Sequence, residues 1–296
     1  MRARLIVSTI VAGGLALAIG GTIALAGKPP SNTSLYPDLR TVVPAHLNLV
    51  NQQQNEYLRF SNGIANTGGG PWALRPDPPI GTASFTNAIQ EIRSSNAQYL
   101  CGTQPKPSDP CYTVVQEQLV STFEYHPTHN HWHTADVALF EVRQGSPAGQ
   151  VVGANSIKVG FCLIDLYQLE DNAPTNEKVF WDCETGHQGV SKGWVDQYHQ
   201  STDGQQVDVT GLPNGSDYYL VSTTNPEGVF LEQDETNNTE WVRFTLSAES
   251  NGNRKVTVTD HSARAQACAA SARRTARSIS VGRPGRSAAP AACRSF

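Results

Sequence analysis

The sequence predicts an all-β protein, a β-sandwich core with long loops and little helix. Three observations carry that reading: β-branched and aromatic runs of strand length recur along the body, helical periodicity is weak throughout, and strands do not alternate with helices. Residues 57–64 alternate in polarity and run into Asn66-Thr67-Gly68-Gly69-Gly70-Pro71, a strong turn signal. Residues 137–142, 158–163, 218–222 and 241–246 read as further strands. The connections carry Pro213-Asn214-Gly215, Asn225-Pro226 and Asn237-Asn238, all turn formers. Residues 191–199 read as one short turn of helix. No internal repeat is present.

Charge divides the 296 residues into three parts. Residues 1–26 begin with Arg2 and Arg4, continue as an apolar run and end Ala24-Leu25-Ala26 before Gly27-Lys28-Pro29-Pro30. A basic start, an apolar stretch and small residues at −3 and −1 make a secretory signal with a cut expected after Ala26. An uncleaved anchor would have the length, but Gly13, Gly14, Gly20, Gly21 and the Ala-x-Ala end favour cleavage. The mature protein is therefore expected outside the cell, with no membrane association after cleavage.

The body, 27–248, is strongly acidic, whereas 249–296 is basic and rich in Ala, Ser and Arg. An acidic body argues against nucleic acid as a partner and favours cationic ligands. The tail holds too few large apolar residues to offset chain entropy and is expected to be disordered.

Six cysteines fit export, and the lack of Cys-x-x-Cys argues against zinc ribbons and thioredoxin chemistry. Cys101 and Cys111 bracket a Pro-rich loop, Cys162 and Cys183 bracket another, and Cys268 and Cys293 lie in the tail. Each bracket is a candidate disulfide.

The chemistry concentrates in His126-Pro127-Thr128-His129-Asn130-His131-Trp132-His133. On an extended strand His129, His131 and His133 project from one face, about 7 Å apart. Slight twisting would let three imidazoles converge on one ion, and imidazole suits copper, zinc, iron and nickel.

Further motifs follow in order. They are Pro37-Asp38-Leu39, Leu58-Arg59-Phe60-Ser61, Lys158-Val159-Gly160-Phe161-Cys162-Leu163-Ile164-Asp165, Gln188-Gly189-Val190-Ser191-Lys192-Gly193-Trp194-Val195-Asp196-Gln197-Tyr198, and Glu232-Gln233-Asp234-Glu235-Thr236-Asn237-Asn238. With the histidine segment they resemble the lysyl oxidase family, over roughly 36–246. The resemblance implies a lysyl oxidase-like catalytic domain. It would bind copper(II) through His129, His131 and His133, with His126 matching an upstream histidine that is not assigned as a ligand. It implies a lysine tyrosylquinone made from Lys158 and Tyr198, and oxidation of primary amines or of lysine in proteins by O₂ to aldehyde, ammonia and hydrogen peroxide. It also implies a structural calcium held by Asp38, the Leu39 carbonyl, Glu232, Asp234, Asn237 and Asn238, oxygen donors that suit a hard cation. Cys162 and Cys183 match a family pair.

A carboxylate near the quinone is the natural candidate for the base in such a reaction. Asp196, two residues before Tyr198, is the first candidate and Asp136 the second. The family's other cysteines are missing: Trp194 and Thr128 stand at two of their positions, and the Cys101–Cys111 loop is an insertion. Two other readings of the histidines stay open at this point: a non-catalytic copper- or zinc-binding sandwich module, and a zinc hydrolase using three histidines and an activated water.

Overall fold

The computed structural model describes residues 34–94, 114–152, 157–169, 179–184 and 186–262. The secretory segment, Cys101, Cys111, Cys268 and Cys293 lie outside the described residues. The chain forms β1 (Ser34–Leu35), β2 (Leu39–Gln52), β3 (Asn55–Asn66), β4 (Trp72–Asp77), β5 (Phe85–Ser94), β6 (Val114–His126), β7 (His131–Gln144) and β8 (Gln150–Val151). It continues through β9 (Ile157–Phe161), β10 (Tyr167–Gln168), β11 (Gln188–Val190), β12 (Trp194–Tyr198), β13 (Gln206–Asp208), β14 (Gly215–Thr224), β15 (Thr239–Ala248) and β16 (Arg254–His261). Among the described residues the one helix is a short 3₁₀ turn at Glu235–Asn237.

These strands build two antiparallel sheets. An eleven-stranded sheet runs β11-β4-β5-β6-β7-β14-β15-β16, with β1 on β5 and β8 and β9 on β7. A five-stranded sheet runs β10-β12-β3-β13, with β2 on β3. The sandwich expected from the alternation is present, and the core lies between the sheets. Leu58, Phe60 and Ile64 of β3 face Phe140 and Val142 of β7, Leu220 of β14, and Val242 and Phe244 of β15, all buried. Phe60 and Phe140 meet edge to face at 4.8 Å between centroids. Each such side chain withdrawn from water contributes about 1.5–3 kcal/mol.

Two expectations are corrected. Residues 191–199 form no helix; Trp194–Tyr198 is the strand β12, paired with β3 from Val195↔Ala65 to Tyr198↔Asn62. Trp194, Val195 and Asp196 are all buried, so tertiary pairing rather than local propensity decides their conformation. The tail without structure does not begin at 249 either. Arg254–His261 adds β16 to the edge of the large sheet, in register with β15 from Ala248↔Arg254 to Val242↔His261. It is mostly exposed, which is why its composition reads as a solvated tail. Two contacts hold it in place: Val256 packs on the core, and Arg254 pairs with the buried Glu56 at 2.8 Å.

The irregular segment between β9 and β12 is closed by a disulfide between Cys162 and Cys183, as expected. With a sequence separation of 21, the loop-entropy model gives about 3 kcal/mol of stabilisation. Replacing Cys162 and Cys183 together by Ser should lower the unfolding free energy by about that amount in urea titrations. An unchanged midpoint would show that the closed loop adds nothing.

Candidate metal centre

The histidine segment folds as a hairpin rather than as one strand. His126, at the end of β6, stands opposite His131 at the start of β7, and Glu124 stands opposite His133. Between them the chain turns: the N–H groups of His129 and Asn130 both donate to the His126 carbonyl, at 3.1 and 2.8 Å. Asn130 takes a positive φ of 57°, a conformation that Asn accepts more readily than most residues. Its Oδ1 accepts the Tyr125 hydroxyl at 2.5 Å, which locks the turn. His131 and His133 share one face of β7 as expected, but His129 enters from the turn.

All four imidazoles meet. His131 Nε2 lies 3.0 Å from His133 Nε2, and His129 Nδ1 lies 3.3 Å from the same atom. The His126 ring stacks on His129 at 4.4 Å and on His133 at 4.8 Å. One ligand atom from each of His126, His129 and His133 falls within 4.8 Å of the others. Nitrogens held about 2.0 Å from one ion stand roughly 2.8–3.4 Å apart, so the two shortest separations already match a coordination edge. His126, His129 and His133 thus converge as a triad, and His131 joins it through His133.

Electrostatics keep the inner rings neutral, as ligation requires. Burial, then the neighbouring imidazoles of His131, His126 and His129, push His133 down to about 3. His131 is lowered by burial and by His129 and His126, with Glu184 opposing.

Buried polar groups grip the chain around these histidines. Gln188 Nε2 donates to the Trp132 carbonyl at 2.6 Å, and its Oε1 accepts from Thr134 Oγ1 at 3.1 Å and from Leu163 N at 3.0 Å. The Trp132 N–H donates to the Cys183 carbonyl at 3.1 Å. Gly160 lets β9 close on the same stretch: a Cβ there would stand 2.9 Å from the Thr134 carbonyl oxygen and 3.5 Å from His133 Cβ. Gln188 and Gly160 were visible only as motif letters; nothing in the sequence assigned them to the histidines.

Tyr198 lies where β12 approaches the end of β9. Its hydroxyl donates to the Cys162 carbonyl at 2.5 Å, and its ring packs on Phe161 at 4.1 Å. Asp196 is buried on the same face of β12 as Tyr198, and burial pushes its carboxyl well above the usual range. Burial, then the Asp196 charge, likewise raises the Tyr198 phenol. Lys158 occupies β9 opposite Leu139 of β7, and its side chain lies outside the described residues. Asp136 is exposed, at φ 56°, in a β7 bulge between Thr134 and Ala138, so it does not join Asp196.

The oxygen-bearing cluster also assembles. Glu232 accepts from Leu39 N at 2.8 Å, Asn225 Nδ2 at 2.6 Å and Asn238 Nδ2 at 2.7 Å, while Asn237 Nδ2 donates to Asp38 Oδ1 at 2.8 Å. Asp234 is exposed and caps the 3₁₀ turn through Thr236 N at 2.9 Å. Burial pushes Glu232 up to about 7, and the buried Asn238 Oδ1 finds no partner among the described residues. Such a surplus of acceptor oxygens fits a hard cation.

Residues 113–259 match the lysyl oxidase family model. The chain belongs to the lysyl oxidase family. It is 32% identical to human lysyl oxidase homolog 1 over 117 residues, 40% of this chain and 19% of that protein. It is 32% identical to bovine lysyl oxidase homolog 2 over 114 residues, 38% of this chain and 14% of that protein. The chain thus aligns with less than a fifth of the length of these relatives. The family match takes in the histidine hairpin, β9, Gln188, Tyr198 and the Glu232–Asn238 cluster.

Replacing Gln188 by Leu, of similar volume, removes three buried hydrogen bonds and strands the Trp132 carbonyl and the Leu163 N–H. The expected loss is roughly 2–4 kcal/mol of stability, read by denaturant titration. A loss below 1 kcal/mol would show that the backbone finds other partners.

Proposed function

We propose that the protein is a secreted copper- and quinone-dependent amine oxidase acting on peptidyl lysine or small primary amines. The observation that carries this reading is the convergence of the imidazoles together with a separate pair, the buried Asp196 and the half-buried Tyr198. A non-catalytic metal module, or a zinc hydrolase built on three histidines, gives that second pair no task. The amine-oxidase chemistry of the family supports the same reading, and no helix among the described residues is long and apolar enough to cross a membrane.

In this reading His129, His131 and His133 hold copper(II), and the Lys158–Tyr198 pair supplies the quinone. Together these groups would take two electrons from the amine and pass them to O₂, giving aldehyde, ammonia and hydrogen peroxide. The chain's own residues do the rest. The Cys162 carbonyl fixes the Tyr198 hydroxyl, and Phe161 fixes the ring plane. Asp196 lies on the Tyr198 face of β12, where burial raises its proton affinity, and in this reading it serves as the base at the substrate carbon. The acidic body draws cationic amines by long-range attraction, an effect that salt weakens.

His131→Ala should abolish both stoichiometric copper, by elemental analysis, and peroxide production from amines. Tyr198→Phe and Lys158→Ala should keep copper but lose turnover and the phenylhydrazine adduct. Peptide mapping of the copper-loaded wild type should find the Lys158 and Tyr198 peptides cross-linked. Wild-type turnover in Tyr198→Phe would remove the Lys158–Tyr198 quinone from the reaction.

Asp38, Leu39, Glu232, Asp234, Asn237 and Asn238 are proposed to hold calcium. Glu232 is raised from 4.5 to about 7, so without a cation its burial favours the protonated folded state. That contribution is present below about 4.5 and is lost as pH rises through 7. A cation stabilises the ionised form instead, so calcium should raise Tm more at pH 8 than at pH 5. An equal rise at both would remove Glu232 from the site.

A further inference from the structure

The two ring nitrogens of His129 face different groups. Nδ1 points into the cluster, 3.3 Å from His133 Nε2, and Nε2 lies 3.9 Å from Asp203 Oδ2. His131 and His133, by contrast, turn their Nε2 atoms toward one another at 3.0 Å. A metal-bound imidazole is oriented by what its other nitrogen donates to, most often a carboxylate or carbonyl. We propose that Asp203 is a positioning residue that orients His129 for metal ligation through Nδ1, and so ties the metal centre to the turn that follows Tyr198. The proposal rests on the metal reading given under Proposed function.

The turn is built to hold Asp203 there without help from His129. After Tyr198 the chain folds through Thr202 N to His199 O at 2.9 Å and Gln205 N to Thr202 O at 3.2 Å. Gly204 takes a φ of 83°, which a side chain would strain. The turn is then bolted to β3: Arg59 donates from Nε to the Gln200 carbonyl at 2.6 Å and from its terminal nitrogen to the Thr202 carbonyl at 2.7 Å. Gln200 N donates to Ser61 Oγ at 3.0 Å. Asp203 is therefore carried to His129 by a frame anchored in the small sheet, while His129 arrives on the hairpin of the large one.

At 3.9 Å the pair is beyond hydrogen-bond length, so the proposal requires the Asp203 carboxylate to close on His129 Nε2 when Nδ1 is ligated. The Asp203 side chain is 81% exposed, so its value for folding is slight and its value for ring orientation is what remains. This separates the two roles by experiment.

The test compares wild type with Asp203→Ala, Asp203→Asn and Asp203→Glu, each purified metal-free and titrated with copper(II) against a competing chelator. Pulsed EPR then reads the remote, non-ligating imidazole nitrogen. Asp203→Ala should bind copper 10–100-fold more weakly with Tm unchanged. The remote-nitrogen coupling assigned to His129 should shift, and Asp203→Glu should restore much of both. Equal affinity and an identical spectrum in Asp203→Ala would overturn the proposal. So would a loss that accompanies a fallen Tm or that Asp203→Glu fails to restore, because either outcome reduces Asp203 to fold maintenance. A wild type that takes up no copper overturns the metal reading itself, an outcome recognisable before any variant is compared.

Discussion

The described parts of the segment between β9 and β12 run through the interior with little regular pairing, so their backbone groups need buried side chains as partners. An unpaired buried N–H or carbonyl costs about as much as a lost hydrogen bond, and the site depends on meeting this demand. Three side chains meet most of it. Asp165 accepts from Val179 N, Phe180 N, Ser191 N and Ser191 Oγ, at 2.7–3.1 Å. Its burial pushes it up to about 6 even so, and those four donors are what oppose the rise. Asn66 donates to the Gly70 and Val190 carbonyls and accepts from Asp38 N and Gly68 N. Gln188 joins the same segment to the Trp132 carbonyl and the Thr134 hydroxyl, on either side of His133. The histidines and Tyr198 are thus placed by amides and a carboxylate that touch neither.

Much of the architecture was legible because alternation is a direct imprint of a half-buried strand. Residues 57–64 announce β3 in this way, and the β-branched and aromatic run 137–142 announces the inner half of β7. The failures have the same physics. β12 is buried on both faces, so Trp194, Val195 and Asp196 show no alternation to read. β16 keeps only a thin apolar edge and owes its place to Glu56, nearly two hundred positions earlier in the chain.

At the site, the residue types were legible and their geometry was only half so. The spacing of His131 and His133 gives a shared face, but Pro127 and Asn130, both turn formers, are the signal that His129 leaves the strand. Gln188, Gly160 and Asp203 carry no local signature: their meaning comes from contacts across the fold. The same holds for Glu232, whose partners Leu39, Asn225 and Asn238 come from three separate segments.

Lys158 belongs to β9 in the large sheet and Tyr198 to β12 in the small one. A covalent bond between their side chains would span the sandwich and enclose the Cys162–Cys183 loop inside a second, wider ring. The arithmetic used for disulfides assigns such a ring of about forty residues roughly 4 kcal/mol. A redox cofactor made this way is also a mechanical brace. Its maturation would stiffen the scaffold at the moment it arms the chemistry, so the immature protein would be the softer of the two and the easier prey for proteases.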